Sequence, residues 1–298
     1  MASHKPIRQL PIERRLGDAM RRHLPPAAAD FVLFGLKQAW AALFGGAMLV
    51  LLIATHLWWP QNAPLARYDA LFLAALALQA AFLAAKLETL SEAKVILLFH
   101  ITGTAMEVFK VHMGSWAYPG PGVIKIADVP LFSGFMYAAV GSYIARVMRV
   151  FDMRFCHHPP LSASVALAAA IYVNFFAHHF LPDARVALFA ATLILFWPTR
   201  IVFRVGTRDY AMPLIMAATL AAIFLYIAEN VGTLTGTWIY AGNAGWHPAH
   251  PAKFGAWYLL LFVSFAQVCL VMRHHLFRGA AEGVAGAVSL SPATLFRR

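Results

Sequence analysis

Residues 107–120 read EVFKVHMGSWAYPG, and residues 229–242 read ENVGTLTGTWIYAG. Aligned without gaps, the segments share Glu107/Glu229, Gly114/Gly236, Trp116/Trp238, Tyr118/Tyr240 and Gly120/Gly242, and Ser115 faces Thr237. Each copy begins at a glutamate near the end of a long apolar run and leaves it through Gly-[Ser/Thr]-Trp-x-Tyr. After a loop the match resumes one residue out of step, with Pro130/Pro251, Gly134/Gly255 and Tyr137/Tyr258 opening the next apolar run. Identities on a near-constant offset mark an internal repeat, here with copies around 92–150 and 211–273.

The flanking runs set the class. The 298-residue chain is 61% hydrophobic and 12% charged, with a mean hydropathy of +0.65, whereas soluble domains carry roughly 25% charged residues. Eight apolar runs lie at about 34–59, 68–86, 92–112, 130–150, 161–180, 183–201, 211–230 and 254–273. They approach or exceed the roughly 20 residues that cross a bilayer core. Backbone groups find no water there, so the runs must be helices, and the alternating pattern of a β-barrel is missing. The prediction is an all-α polytopic membrane bundle of about eight transmembrane helices with a parallel internal repeat, occupying 31–275. Residues 1–30 read as a basic cytoplasmic segment and 276–298 as a flexible cytoplasmic tail. Ile12, Leu16 and Met20 beside Arg14, Arg15, Arg21 and Arg22 suit a basic helix on an anionic leaflet, or a solvated tail. No signal-peptide pattern precedes them.

A net charge of +11 suggests nucleic acid, but its distribution argues for topology instead. With the N-terminus inside, nineteen of the 24 lysines and arginines fall on the inner side, and the outer side keeps Arg67, Lys110, Lys125, Arg185 and Lys253. This positive-inside pattern places both termini in the cytoplasm. The partners expected are therefore the lipid bilayer and a lipid-soluble small molecule, with no nucleic acid. Cys156 and Cys269 have neither metal nor redox spacing, and no cofactor is indicated.

The third, fifth and seventh runs then point outward and gather their polar residues at one depth. His100, Thr104 and Glu107 share a helical face, and Lys110 is spaced to pair with Glu107. Asn174 and His178 stand one turn apart, His179 follows, and Glu229 and Asn230 close the seventh run. On the fourth run Ser133 and Tyr137 share a face. Intramembrane ionisable groups default to a functional site, and a parallel repeat would set that site between its copies. The candidate catalytic residues are Glu107, Glu229 and His178. Trp116, Tyr118, Trp238, Tyr240, Asn174, Asn230 and Tyr137 are candidate substrate contacts. The plainer alternative is that each glutamate bonds the Trp or Tyr of its own exit loop, with the aromatic rings serving as interfacial anchors. His178 with both glutamates would suit zinc or iron, but no HExxH or E-x-x-H spacing supports a metal. Elsewhere, KLETLSEAK (86–94) reads as a solvated loop in which Ser91 caps the third helix. Arg146 and Arg149 read as snorkelling to headgroups, and Gln79 as bonded to a neighbouring helix.

The segments KLETLSEAKVILLFHITGTAMEVFKVHMGSWAYP (86–119), VPLFSGFMYAAVGSYIAR (129–146), IYVNFFAHHFLPD (171–183) and IAENVGTLTGTWIY (227–240) resemble the bacterial YoaT-like family of uncharacterised integral membrane proteins. The resemblance covers about residues 30–275, implies an inner-membrane location and supplies no activity. More loosely, a Glu-bearing helix, W-x-Y, a loop and a V-P helix start are similar to membrane-embedded carotenoid cyclases and hydratases. Trp116, Tyr118, Val129 and Pro130 match that pattern. The paired acidic residues expected after the proline in the cyclases are Leu131-Phe132-Ser133 here.

Three functions remain in view. An acid–base enzyme on an apolar or isoprenoid substrate would use Glu107 or Glu229 as proton donor and His178 as relay. A proton-coupled transporter or ion pathway would use the same carboxylates but needs polar groups in the inner half, which reads as nearly all Leu, Ala, Val and Phe. A non-catalytic scaffold would need only the aromatic loops.

Overall fold

The computed structural model describes residues 11–60, 62–240 and 246–272. Residues 1–10 of the expected N-terminal segment and the expected tail at 276–298 lie outside the described residues. Each apolar run folds as helix. In chain order the helices are α1 (Pro11–His23), α2 (Pro26–Ala41), α3 (Leu43–Trp58), α4 (Arg67–Ala84), α5 (Leu90–His112), α6 (Phe132–Val150), α7 (Leu161–Ala177), α8 (Arg185–Phe196), α9 (Leu214–Leu234) and α10 (Ala252–Val271). Four of them, α4, α5, α9 and α10, are long and apolar enough to cross a membrane. The first run is a pair, α2 and α3, bent by 68°, and counting it as one span makes five. That is fewer than the eight read from the runs. α7 and α8 have only 17 and 12 residues, and α6 carries Arg146 and Arg149.

α6 is the central helix, buried along its length from Phe132 to Met148 and packed against α2, α3, α4, α5 and α10. Its most extensive partner among the described residues is α5. Glycines let the two approach: a Cβ on Gly103 would lie 2.6 Å from Tyr137, and one on Gly141 would lie 2.7 Å from Phe99.

The all-α expectation needs correcting in one region. Arg154–Cys156 (β4), Arg200–Val205 (β5) and Arg208–Pro213 (β6) form an antiparallel sheet, with Gly206 at φ +58° in the β5–β6 turn. Along β5 the side chains of Ile201, Phe203 and Val205 are buried and alternate with Arg200, Val202 and Arg204, the two-residue period of a strand.

The remaining strands are two-residue pairings at the end of the bundle where α5 and α9 finish. Trp116–Ala117 (β1) pairs with Ile239–Tyr240 (β7), and Lys125–Ile126 (β2) pairs with Val129–Pro130 (β3). Gly114 and Gly236 sit just past the two helix ends at φ +66° and +60°. Ser115 N–H reaches back to the Lys110 carbonyl at 2.9 Å, and Thr237 N–H to that of Gly232 at 3.0 Å. These six-to-one bonds are the Schellman ending that glycine permits. The chain reverses identically in both copies, and Ala117 meets its own counterpart, Ile239.

At the opposite end of the bundle, the segment KLETLSEAK is not a solvated loop. Thr89, not Ser91, caps α5, in a capping box with Glu92. Glu88 is buried against Arg146 at 2.6 Å, with Gln79 at 2.6 Å and Ser142 at 3.0 Å completing its shell. Arg149 bonds the buried Glu92 at 2.9 Å. These two arginines therefore face carboxylates rather than headgroups.

Candidate functional site

The helix ending places the exit-loop aromatics over the glutamate one and a half turns back. Glu107 is 4% exposed and accepts three hydrogen bonds, from Trp116 Nε1 and Tyr118 Oη on Oε2 and from Tyr137 Oη on Oε1, each 2.7 Å. Glu229 is 6% exposed and repeats the arrangement: Oε1 accepts from Trp238 Nε1 at 3.0 Å and from the Tyr240 hydroxyl, and Oε2 from Trp257 Nε1 at 3.1 Å. The offsets of nine and eleven residues recur in both copies. The third donor comes from the following helix, α6 or α10. The alignment had matched Tyr137 with Tyr258, but Trp257 takes that place, and the Tyr258 hydroxyl is buried without a partner. Tyr137 and Trp257 have ring centroids 6.0 Å apart, so the two clusters adjoin.

Carboxylates accept only, and three charge-assisted bonds to each buried carboxylate orient it fully. Burial first, and then the neighbouring carboxylate, push the Tyr118 and Tyr240 hydroxyls above the ordinary phenol range, so both remain donors at neutral pH. The plainer expectation, a glutamate holding its own exit loop, is thus met in the geometry of both copies.

Lys253 opens α10 and was not singled out by its sequence. Its ammonium lies 4.0 Å from the Tyr240 ring centroid and 5.0 Å from that of Trp116. These two residues face each other in the β1–β7 pairing, and one is bonded to each glutamate. Lys110 does not pair with Glu107. Its amine meets His179 Nε2 at 2.9 Å and His178 Nε2 at 3.3 Å. His178 Nδ1 lies 2.8 Å from the Asn174 carbonyl. A proton on that nitrogen leaves Nε2 free to accept from the lysine.

The two asparagines serve loops. Asn174 bonds Asp183 at 3.1 Å and accepts from Ala184 N–H at 3.1 Å, bracing the α7–α8 turn. Burial opposes ionisation of Asp183, but the bonds from Arg185 and Asn174 prevail and hold its carboxyl at about 2. Asn230 bonds the Tyr226 carbonyl at 2.7 Å and accepts from Ala249 N–H at 2.8 Å. Among the described residues, no group of three His, Cys, Asp or Glu is placed to hold a metal ion.

The start of α4 also belongs to the site, although the sequence marks Arg67 only as an outer-side charge and leaves Tyr68 and Asp69 unmarked. Tyr68 Oη donates to the Thr237 carbonyl at 2.8 Å and accepts from Gly120 N–H at 3.1 Å, bridging the two exit loops. Arg67 bonds Thr237 Oγ1 and the Thr235 carbonyl, and Asp69 accepts from Val123 and Ile124 N–H.

The fit around Trp238 is tight. A Cβ on Gly232 would lie 1.8 Å from its ring, so Gly232→Ala must displace the indole from Glu229. We expect a loss of about 1–3 kcal/mol, the usual cost of overpacking, with a red-shifted tryptophan emission. An unchanged melting temperature and spectrum would contradict the packing.

Comparison with known proteins gives a family and no chemistry. The family profile described as "Protein of unknown function (DUF817)" matches residues 30–265. An uncharacterised protein YoaT of Bacillus subtilis (strain 168) is 42% identical over 240 residues, which is 80% of this chain and 90% of that protein. A crystal structure of a cross-linked MvINS trimer aligns with a TM-score of 0.45 and 14% identity over 62% of this chain and 97% of that one, a likeness that carries no argument. The similarity to carotenoid cyclases and hydratases gains no support from these matches.

Proposed function

The chain belongs to the DUF817 family, whose description assigns no activity, and we propose that it is a proton-coupled membrane transporter of lipophilic cations, an amine or quaternary ammonium group on an apolar body. The observation that carries this reading is the ammonium already seated in the site, with Lys253 4.0 Å over Tyr240 and 5.0 Å over Trp116. Both rings donate to a buried carboxylate, which enriches the π-face and strengthens its hold on a cation. Glu107 and Glu229 carry two negative charges and Lys253 one positive. The remaining charge can be neutralised by a proton or by a second cation, and that exclusion couples the two. The inner-membrane setting, eight crossings with cytoplasmic termini and a parallel repeat about the membrane normal belong to the same reading. The charge split and the two matching exits support it.

The copies divide the work. Each oxygen of Glu107 faces a tyrosine hydroxyl, which can turn from donor to acceptor when the carboxyl gains a proton. Oε2 of Glu229 faces only the Trp257 indole, which cannot accept. Oε1 of Glu229 does face the Tyr240 hydroxyl, so Glu107 is the better placed of the two to exchange a proton because both of its oxygens have such a partner. An acid–base enzyme would use the same groups. Transport is favoured because the ring faces already hold a cation.

The test is tetraphenylphosphonium binding to the purified protein by calorimetry. Binding should saturate and weaken as the pH falls. Lys253→Met, which removes the internal competitor, should tighten it about tenfold, equivalent to about 1.4 kcal/mol of cation–π competition. Absence of saturable binding, or binding indifferent to pH, would remove this reading.

A further inference from the structure

We propose that the α5–α6 interface is the proton route to Glu107, with His100 as its titratable relay, an inference that rests on the transport reading above. His100 and Thr104 precede Glu107 by seven and three residues on one face of α5, and that face meets α6 at Gly134. A Cβ at position 134 would lie 2.4 Å from His100 Nδ1 and 2.5 Å from Thr104 Oγ1, so both polar groups rest on the α6 backbone beside Ser133. His100 Nδ1 and Thr104 Oγ1 are buried with no partner in the protein, and Ser133 Oγ, buried beside them, lies toward the Tyr118 hydroxyl that bonds Glu107. A buried polar atom left without a partner is costly. Two in one row, leading to the carboxylate that can exchange its proton, call for a use that offsets this cost.

Aromatic rings line the row toward the opposite end of the bundle. Phe135 packs 4.7 Å from the His100 ring, and Phe99 fills the space over Gly141. Beyond these rings lie Ser142 and the Glu88–Arg146 pair. The charged groups bracketing His100 along the interface are thus Glu107 on its own helix and that ion pair past Phe99. His100 takes a proton at one ring nitrogen and releases one from the other, which leaves the opposite tautomer, and a turn of the ring restores the first before the next proton moves. The second copy has no such row: the alignment puts Ala222, Tyr226 and Phe254 opposite His100, Thr104 and Ser133. The Tyr226 hydroxyl is taken by the Ala249 carbonyl. The nests were kept in both copies, and the row lies beside the one with two tyrosines.

The experiment uses full-length protein in vesicles containing a pH-sensitive dye, with an imposed tetraphenylphosphonium gradient. His100→Gln and Thr104→Val should reduce proton counterflow by about 10²-fold, the scale of a lost proton-transfer group, and Ser133→Ala should reduce it less. Tetraphenylphosphonium binding should stay at wild-type strength in all three variants, which also reports their folding. Wild-type flux in His100→Gln with intact binding would overturn the route and leave the transport reading standing. No binding by the wild type would overturn both. Loss of binding in all three variants would overturn the route by placing the row inside the binding site.

Discussion

Arg146→Ala should cost about 3–5 kcal/mol of stability, because it strands a buried carboxylate. Arg146 and Glu88 have side chains 1% and 0% exposed, 2.6 Å apart, and Glu88 lies on the segment that leads into α5 while Arg146 lies on central α6. Gln79 and Ser142 donate to the same carboxylate, and the guanidinium also lies 5.2 Å from the Phe82 ring centroid. None of these groups has water to fall back on. Glu88→Leu with Arg146→Met should therefore recover most of the loss, since an apolar pair of similar volume removes both desolvation costs. Thermal unfolding in detergent of Arg146→Ala, Glu88→Ala and this double variant checks the point. Single variants within about 1 kcal/mol of wild type would mean that the pair is solvated, as exposed pairs are.

The second large effect distinguishes two substitutions that look equivalent in the sequence. At position 107, a glutamine oxygen can take the place of Oε2, accepting from Trp116 and Tyr118, while its amide donates to Tyr137, whose hydroxyl turns to accept. Every group keeps a partner, so Glu107→Gln should be close to neutral for stability and should abolish the pH dependence of cation binding. At position 229, the oxygen must serve Trp238 and Tyr240, which sets the amide N–H against the indole N–H of Trp257. Neither can accept. Glu229→Gln should lose about 1–3 kcal/mol and weaken cation binding with it. Adding Trp257→Phe to Glu229→Gln should restore part of that stability. Equal melting temperatures for the two glutamine variants would show that the third donor matters little in either nest.

Much of the site could be read from the chain because its contacts are local. Trp116 and Tyr118 reach Glu107 across nine and eleven residues, through a reversal that Gly114 alone permits, and the second copy repeats this. The capping box Thr89-x-x-Glu92 was equally local and equally legible, yet Ser91 was read as the cap. The errors elsewhere share a cause. Glu88 and Glu92 read as solvated because charged residues in a short turn usually are, and their arginine partners are 58 and 57 residues away. Lys110 was paired with Glu107 by helical spacing, whereas the aromatic donors fill Glu107 and the lysine turns to histidines 68 and 69 residues on. The β5–β6 hairpin was hidden because a six-residue strand with alternating arginines resembles the charged end of a span.

By itself, the sequence determined where the helices run, that two glutamates end in matching aromatic exits, and which family the chain joins. Each of these depends on apolar runs and short-range turns, whose energies belong to neighbouring residues. Tertiary structure alone decided that Trp257 rather than Tyr258 completes the second nest. It also placed Lys253 over rings from both copies and buried Glu88 against α6. Those outcomes depend on which helix faces meet and at what rotation. Gly103, Gly134 and Gly141 let α5 and α6 close together, so the partners of Glu88 and Arg146 are set by packing across the bundle.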